Sequence, residues 1–243
     1  MIQKKIVLFI VEGDHDEDEI NSILHTPYFA DYLKHYRLEF KKVNTDITSD
    51  KFSSGSNIQG KLSQLVREFR KNGVPFSNIK VSDIDKIIHI VDTDGTFIPR
   101  EKIKYADVGK YVYEEECIKA NNPDEAYARN RRKASILQVL MGVKKIDNIK
   151  YTVYFVSCNM EHMLFDKKVY SPSEKSSLSD DFVKRCKNDP ECLFENVFNK
   201  QITYDVSHEE SWKDIQEGTN SLKRKTNINI FLEEMKNEEF CNE

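Results

Sequence analysis

Residues 4–13 read KKIVLFIVEG, and this stretch decides the fold class. Two lysines precede six consecutive apolar residues, most of them β-branched or aromatic, and Glu12-Gly13 ends the run. An uninterrupted apolar run of this length is typical of a strand that is buried on both faces of a parallel sheet. The sequence therefore predicts a central strand over residues 6–11.

Further strands and helices alternate along the chain. Strands are predicted at 38–43, 86–91 and 151–156, and helical patterns follow Gly13, broken near Pro27, and recur over 58–69 and 124–141. Strands separated by helices imply a mostly parallel sheet with right-handed crossovers. We therefore expect an α/β domain over residues 1–165, its sheet flanked by helices. A more polar C-terminal helical extension, residues 166–243, is expected to pack on this core.

The composition restricts the class of protein. An apolar content of 39% in 243 residues is enough for a core, no apolar run is long enough to cross a bilayer, and no signal peptide is recognisable. Five cysteines without a CxxC pair fit no disulfide framework, so we expect a cytoplasmic protein with reduced thiols. The net charge of −4 argues against non-specific coating of nucleic acid, but not against an enzyme that acts on phosphodiesters.

Acidic residues stand directly after the predicted strands. Glu12 follows the first strand and Asp92 and Asp94 follow the third, at the strand ends where open α/β sheets bind ligands. In an extended segment, side chains two positions apart point the same way, so the aspartate pair is predicted to present two hard oxygen ligands to one ion. We expect Glu12, Asp92 and Asp94 to hold Mg²⁺ or Mn²⁺, which can polarise a phosphoryl oxygen and orient a water.

These motifs resemble the Toprim signature, with VEG at 11–13 and DTD at 92–94. That fold is shared by topoisomerases, bacterial primases and overcoming-lysogenization-defect (OLD) nucleases. The resemblance covers residues 1–165. It implies that Glu12 is a general acid or base, that Asp92 and Asp94 hold metal, and that the chain is a nuclease.

Two later segments are similar to RloB-type and other defence-associated Toprim proteins: SCNMEHML at 157–164 and KTNI at 225–228. This similarity implies that Glu161 is a further catalytic carboxylate and that the protein defends bacteria against phage. A partner ATPase is also implied, because the GxxxxGK match at 55–61 is followed by Leu62, where a nucleotide-binding loop needs Ser or Thr.

The substrate is expected to be DNA or RNA, including tRNA. The sequence does not indicate whether the protein is a monomer or an oligomer. A basic cluster on the predicted helix 124–141 is the candidate phosphate contact, although such a cluster is more commonly a solvated helix face. Its members are Arg129, Arg131, Arg132 and Lys133.

Two alternatives compete with a nuclease. VDTDGT at 91–96 also matches the haloacid-dehalogenase phosphatase motif, in which Asp92 would be a covalent nucleophile, Asp94 the acid/base and Ser157 the hydroxyl residue. No later strand ends in paired acids, and this alternative leaves Glu12 unexplained. The second alternative is an inactive Toprim-fold binding module, in which the carboxylates are solvated strand ends.

Overall fold

A computed structural model describes residues 4–43, 47–72, 79–168 and 171–240, and its framework is a five-stranded sheet. In chain order the strands of the molecule are β1 (Lys5–Val11), β2 (Tyr36–Lys42), β3 (Ile84–Asp92), β4 (Ile103–Tyr105), β5 (Val112–Tyr113), β6 (Ile118–Ala120), β7 (Lys145–Ile146) and β8 (Ile149–Val156). The main sheet has the order β2-β1-β3-β8-β7. Its first four strands are mutually parallel, and β7 pairs antiparallel with β8.

Helices cover both faces of this sheet. They are α1 (Asp14–Leu24), α2 (Pro27–Leu33), α3 (Ile58–Asn72), α4 (Pro123–Gly142), α5 (Met160–Phe165), α6 (Pro172–Asn188), α7 (Pro190–Val197), α8 (His208–Ile215) and α9 (Ile228–Phe240). The α/β fold with a mostly parallel, helix-flanked sheet is therefore confirmed. Among the described residues, no helix is both long and apolar enough to cross a membrane.

Strand β1 shows why the apolar run has no polar gaps. Successive side chains point to opposite faces of the sheet, and each face has its own core. Leu8 and Ile10 pack in the core that contains side chains of α3, α4 and α8. Val7 and Phe9 pack in the opposite core, with α1, α2, α6 and α9. Helices from beyond residue 165 thus contribute to both cores, including the buried Trp212 of α8.

Two parts of the chain differ from the sequence pattern. Strands β4, β6 and β5 form a small second sheet in that order, and each has only two or three residues, too few for a period of two to be visible. The Ser-rich segment 171–179 forms the first half of α6, where the Ser171 hydroxyl accepts a hydrogen bond from the Glu174 amide at 3.2 Å. Serine is a favoured residue at the N-cap of a helix, and Ser171 therefore indicates where α6 begins.

The predicted helix break near Pro27 is confirmed. Helix α1 ends at Leu24 and α2 begins at Pro27, because proline lacks the amide that would continue the first helix. Cys117, Cys158 and Cys186 are free, while Cys241 lies outside the described residues.

Candidate functional site

The carboxyl ends of β1, β3 and β8 meet at one edge of the sheet, because these strands are parallel neighbours. The turns after β3 and β8 are joined by backbone hydrogen bonds. The Thr93 amide donates to the Val156 carbonyl at 2.9 Å, and the Asp94 amide donates to the Cys158 carbonyl at 2.8 Å. Glu12 follows β1 directly, so this edge gathers the residues that the sequence singled out.

Asp92 lies at the centre of a group of carboxylates. Asp92 is half-buried, and the loss of water around its carboxyl group raises its pKa well above the usual value. The negative charges of Glu12, Asp16 and Asp94 raise the pKa of Asp92 further, and Lys133 opposes them. The structure therefore brings Glu12, Asp92 and Asp94 together, with Asp16 as an additional member.

The Asp94 carboxylate faces cations. Its Oδ2 lies 2.6 Å from the Lys133 ammonium and 2.8 Å from a guanidinium nitrogen of Arg129. The Tyr113 hydroxyl donates to its Oδ1 at 3.3 Å. Lys133 is fully buried, so its charge is compensated within the protein rather than by water. Both oxygens of Asp94 thus already have polar partners.

The backbone at Asp94 is left-handed, with φ of 50°, and Cys158 across the paired turn has φ of 25°. The extended geometry that would align the side chains of Asp92 and Asp94 is therefore absent at the second aspartate. Non-glycine residues with positive φ carry strain, and such strain is concentrated at functional sites. Gly95, with φ of 62°, continues the turn, and a Cβ there would lie 2.5 Å from the Leu222 side chain.

The helical period places the basic residues of α4 on different faces of the helix. Arg129 and Lys133, four positions apart, point together toward Asp94. Arg131 is exposed, and Arg132 is half-buried. Two of the four predicted contacts therefore belong to the site, and they contact a carboxylate of the protein itself.

Glu161 is buried near the start of α5, where Asn159 caps the helix by accepting a hydrogen bond from the His162 amide at 2.9 Å. Its carboxylate forms an ion pair with Lys175 of α6. Burial lowers the pKa of the neighbouring His162 to about 4, and its ring nitrogen Nδ1 lies 3.1 Å from the Ser157 carbonyl. His162 is therefore a neutral structural residue.

Asp16 and Glu19 on α1 are members of the site that the sequence interpretation missed. Burial raises the pKa of Asp16, with Lys175 opposing it and Glu161 adding to the rise. Burial also raises the pKa of Glu19 to about 8, with Asp16 and Glu161 contributing. Their spacing of three positions on a helix that directly follows Glu12 was the available signal, because such residues share a face.

The C-terminal part of the chain closes the same edge. The Ser157 amide donates to the Lys225 carbonyl at 2.8 Å, and the Thr93 hydroxyl donates to the Ser221 carbonyl at 3.2 Å. The buried Asn227 side chain accepts a hydrogen bond from the Phe155 amide at 2.7 Å. We call residues 221–227 the closing segment. The KTNI motif therefore has a structural role next to the carboxylates.

No three His, Cys, Asp or Glu side chains within the described ranges converge closely enough to form a metal cage. The contacts of Asp94 and Glu161 give the physical reason, since both carboxylates are directed at cations. Asp92, by contrast, is acted on mainly by other carboxylates, with Lys133 as the opposing charge.

No family model matches the chain, no curated protein is significantly similar to it, and no solved structure is either. The Toprim resemblance stays a prediction from the motifs.

Proposed function

We propose that this protein is a nuclease of Toprim type that uses Mg²⁺ or Mn²⁺ to cut DNA or RNA. The observation that carries the proposal is the convergence of Glu12, Asp16 and Asp94 on Asp92 at the carboxyl edge of the parallel strands. The negative charges around Asp92 disfavour its ionisation. A divalent cation would offset the repulsion between these carboxylates. Carboxylates that were only solvated strand ends would have no need of such a cation.

The residues fit such an ion through Asp92 and Glu12. Mg²⁺ keeps several waters and usually takes only one or two protein carboxylates together with phosphate oxygens of the substrate, so a cage of three carboxylates is not required. When bound, the metal would polarise a phosphoryl oxygen and orient the attacking water. We assign Asp92 to hold the metal and Glu12, beside it, to take up the proton of that water.

Asp94 has a different role in this proposal. Its ion pairs with Lys133 and Arg129 hold two cations next to the acidic group. Lys133 also lowers the pKa of Asp92, so this cation favours the ionised form of the carboxylate that would hold the metal. Glu161, paired with Lys175, anchors α6 beside the site instead of entering the reaction.

The test is cleavage of single-stranded and duplex DNA and RNA, tRNA included, by the purified chain with Mg²⁺ or Mn²⁺. We expect Asp92→Asn and Glu12→Gln each to lower the rate by about 10²- to 10⁴-fold, the range for loss of a positioned acid or base. Asp18→Asn makes the same charge change at an exposed position of α1 and is expected to cut at the wild-type rate. Unchanged cutting in both site variants would contradict the mechanism.

Metal binding is measured separately by calorimetry with Mn²⁺. We expect binding to wild type and to Asp18→Asn, and strong loss in Asp92→Asn. An inactive binding module would show neither Mn²⁺ binding nor cleavage. Hydrolysis of a small phosphate ester that is lost in Asp92→Asn but kept in Glu12→Gln would instead favour the phosphatase.

A defence role against phage and a partner ATPase follow only from the similarity to RloB-type proteins. We propose both on that basis. Co-expression with a candidate partner ATPase, followed by phage challenge, tests them: a drop in plaque number that Asp92→Asn abolishes is the expected result.

A further inference from the structure

A pocket of about 810 Å³ opens between the small sheet and the start of α4. Its walls include Tyr111 and Tyr113 from the β5 region, the exposed Lys110, and the exposed Asn121 and Asn122 at the start of α4. Pockets that bind small organic groups have volumes of about 300–1,000 Å³. This one is large enough to take a nucleotide.

The pocket adjoins the acidic group through Tyr113. The Tyr113 side chain lines the pocket, and its hydroxyl reaches Asp94 at 3.3 Å and accepts a hydrogen bond from Arg129 at 3.3 Å. Burial raises the pKa of Tyr113, so its hydroxyl stays protonated and donates to Asp94. One side chain therefore connects the pocket wall to the candidate catalytic edge.

Tyr111 provides a flat aromatic surface. The Arg129 guanidinium lies 5.0 Å from the centre of its ring, which covers one face and restrains the side chain. Restrained aromatic rings are the surfaces on which proteins stack unpaired bases. The amide of Asn121 can both donate and accept hydrogen bonds, as the edge of a base requires, and Lys110 can meet a phosphate.

We propose that this pocket binds an unpaired nucleobase of a single-stranded nucleic acid, stacked on Tyr111, and so directs cleavage to single-stranded segments. This inference rests on the proposed nuclease function and names its substrate class. A base within a duplex is stacked between its neighbours and cannot enter such a pocket.

The test is binding, in EDTA, of fluorescein-labelled oligo-uridylate and oligo-thymidylate of about 10 nucleotides, a length that one binding site covers. We expect Tyr111→Ala and Tyr111→Leu to weaken binding by about 5- to 150-fold, the effect of losing one stacked base. Tyr111→Phe keeps the ring and is expected to bind like wild type. Tyr105→Ala, an exposed tyrosine of the same small sheet outside the pocket wall, is the matched control.

Photo-crosslinking of wild type with a strand that contains 5-iodouridine needs no variant. We expect the crosslinked peptide to contain Tyr111 or Tyr113. Wild-type affinity in Tyr111→Ala, crosslinks elsewhere, equal affinity for a duplex, or binding of a free nucleotide but not of a strand would each overturn the proposal.

Because binding is measured without metal, the two proposals fail separately. Tyr111-dependent binding without cleavage under any metal condition would refute the nuclease but keep the pocket. Metal-dependent cleavage with no Tyr111 dependence would refute the pocket alone.

Discussion

Glu19 provides the sharpest test of the electrostatics around the site. The residue is fully buried on α1, and neither carboxylate oxygen has a well-formed hydrogen bond to another described residue. Burial raises its pKa from 4.5 to about 8, with Asp16 adding to the rise and the Ser179 hydroxyl offsetting part of it. The folded protein therefore holds this proton more tightly than the unfolded chain does.

The sign and size of the effect follow from that difference. Protonated Glu19 makes its full contribution to the free energy of unfolding below pH 4.5. This contribution decreases as pH rises and is lost above the folded-state pKa of about 8. Each pKa unit corresponds to about 1.4 kcal/mol, so the free energy of unfolding should fall by about 4 kcal/mol between pH 5 and pH 9 on account of this group. Glu19→Gln removes the titration, so the variant should be more stable than wild type at pH 9 by that amount.

The assay is urea unfolding of wild type and Glu19→Gln in EDTA at a series of pH values from 5 to 9. The control is Glu17→Gln, on the same helix, where the carboxylate is half-buried and pairs with Lys42 at 3.5 Å. Its stability is expected to run parallel to that of wild type. A difference between Glu19→Gln and wild type that changes by less than about 1 kcal/mol over this range would refute the reasoning, because it would mean that Glu19 ionises in the folded protein at little cost.

Three further substitutions test contacts at the site by denaturant unfolding. Lys133→Met leaves the half-buried Asp94 carboxylate with one cation fewer and should lower the free energy of unfolding by about 3 kcal/mol. Arg131→Met, exposed on the same helix, should lower it by less than about 0.5 kcal/mol, and equal effects would contradict the ion pair. Gly95→Ala should lower the free energy of unfolding by at least about 2 kcal/mol, because φ is 62° and the added methyl would lie 2.5 Å from the Leu222 side chain. If the variant is as stable as wild type, the turn must adapt to the methyl group. Asn227→Ala removes the acceptor of the buried Phe155 amide of β8 and should lower the free energy of unfolding by about 1–3 kcal/mol. An unchanged free energy of unfolding would mean that water replaces the side chain as acceptor.

The strands were predictable because burial on both faces leaves a signature in the sequence itself. The runs at 6–11, 86–91 and 151–156 all became central strands, and the parallel order then placed Glu12 and Asp92 at one edge. Strand β2 lies at the sheet edge and is half-buried, and its predicted limits of 38–43 differ from Tyr36–Lys42. A half-buried strand has fewer apolar residues, so its limits are harder to predict from the sequence.

The orientation of Asp94 was not predictable from its neighbours in sequence. Its turn is fixed by the Cys158 carbonyl, and its carboxylate is fixed by Lys133, which is 39 positions away. Asp16 and Glu19 were missed for a related reason. Their spacing places them on one face of α1, but acidic residues are common near a helix start because they suit the helix dipole, and the sequence does not show that α6 packs against α1 and that both residues are buried.

The closing segment has a consequence for how the protein matures on the ribosome. The Thr93 hydroxyl and the Ser221 carbonyl that it meets are 128 positions apart, so the turns that carry Asp92 and Asp94 are made long before the backbone that fixes them. Contacts between residues so distant along the chain form late in folding. A nascent chain would carry every carboxylate of the site in an unfinished setting until residues 221–227 had left the exit tunnel, so the proposed cleavage would begin only after that point.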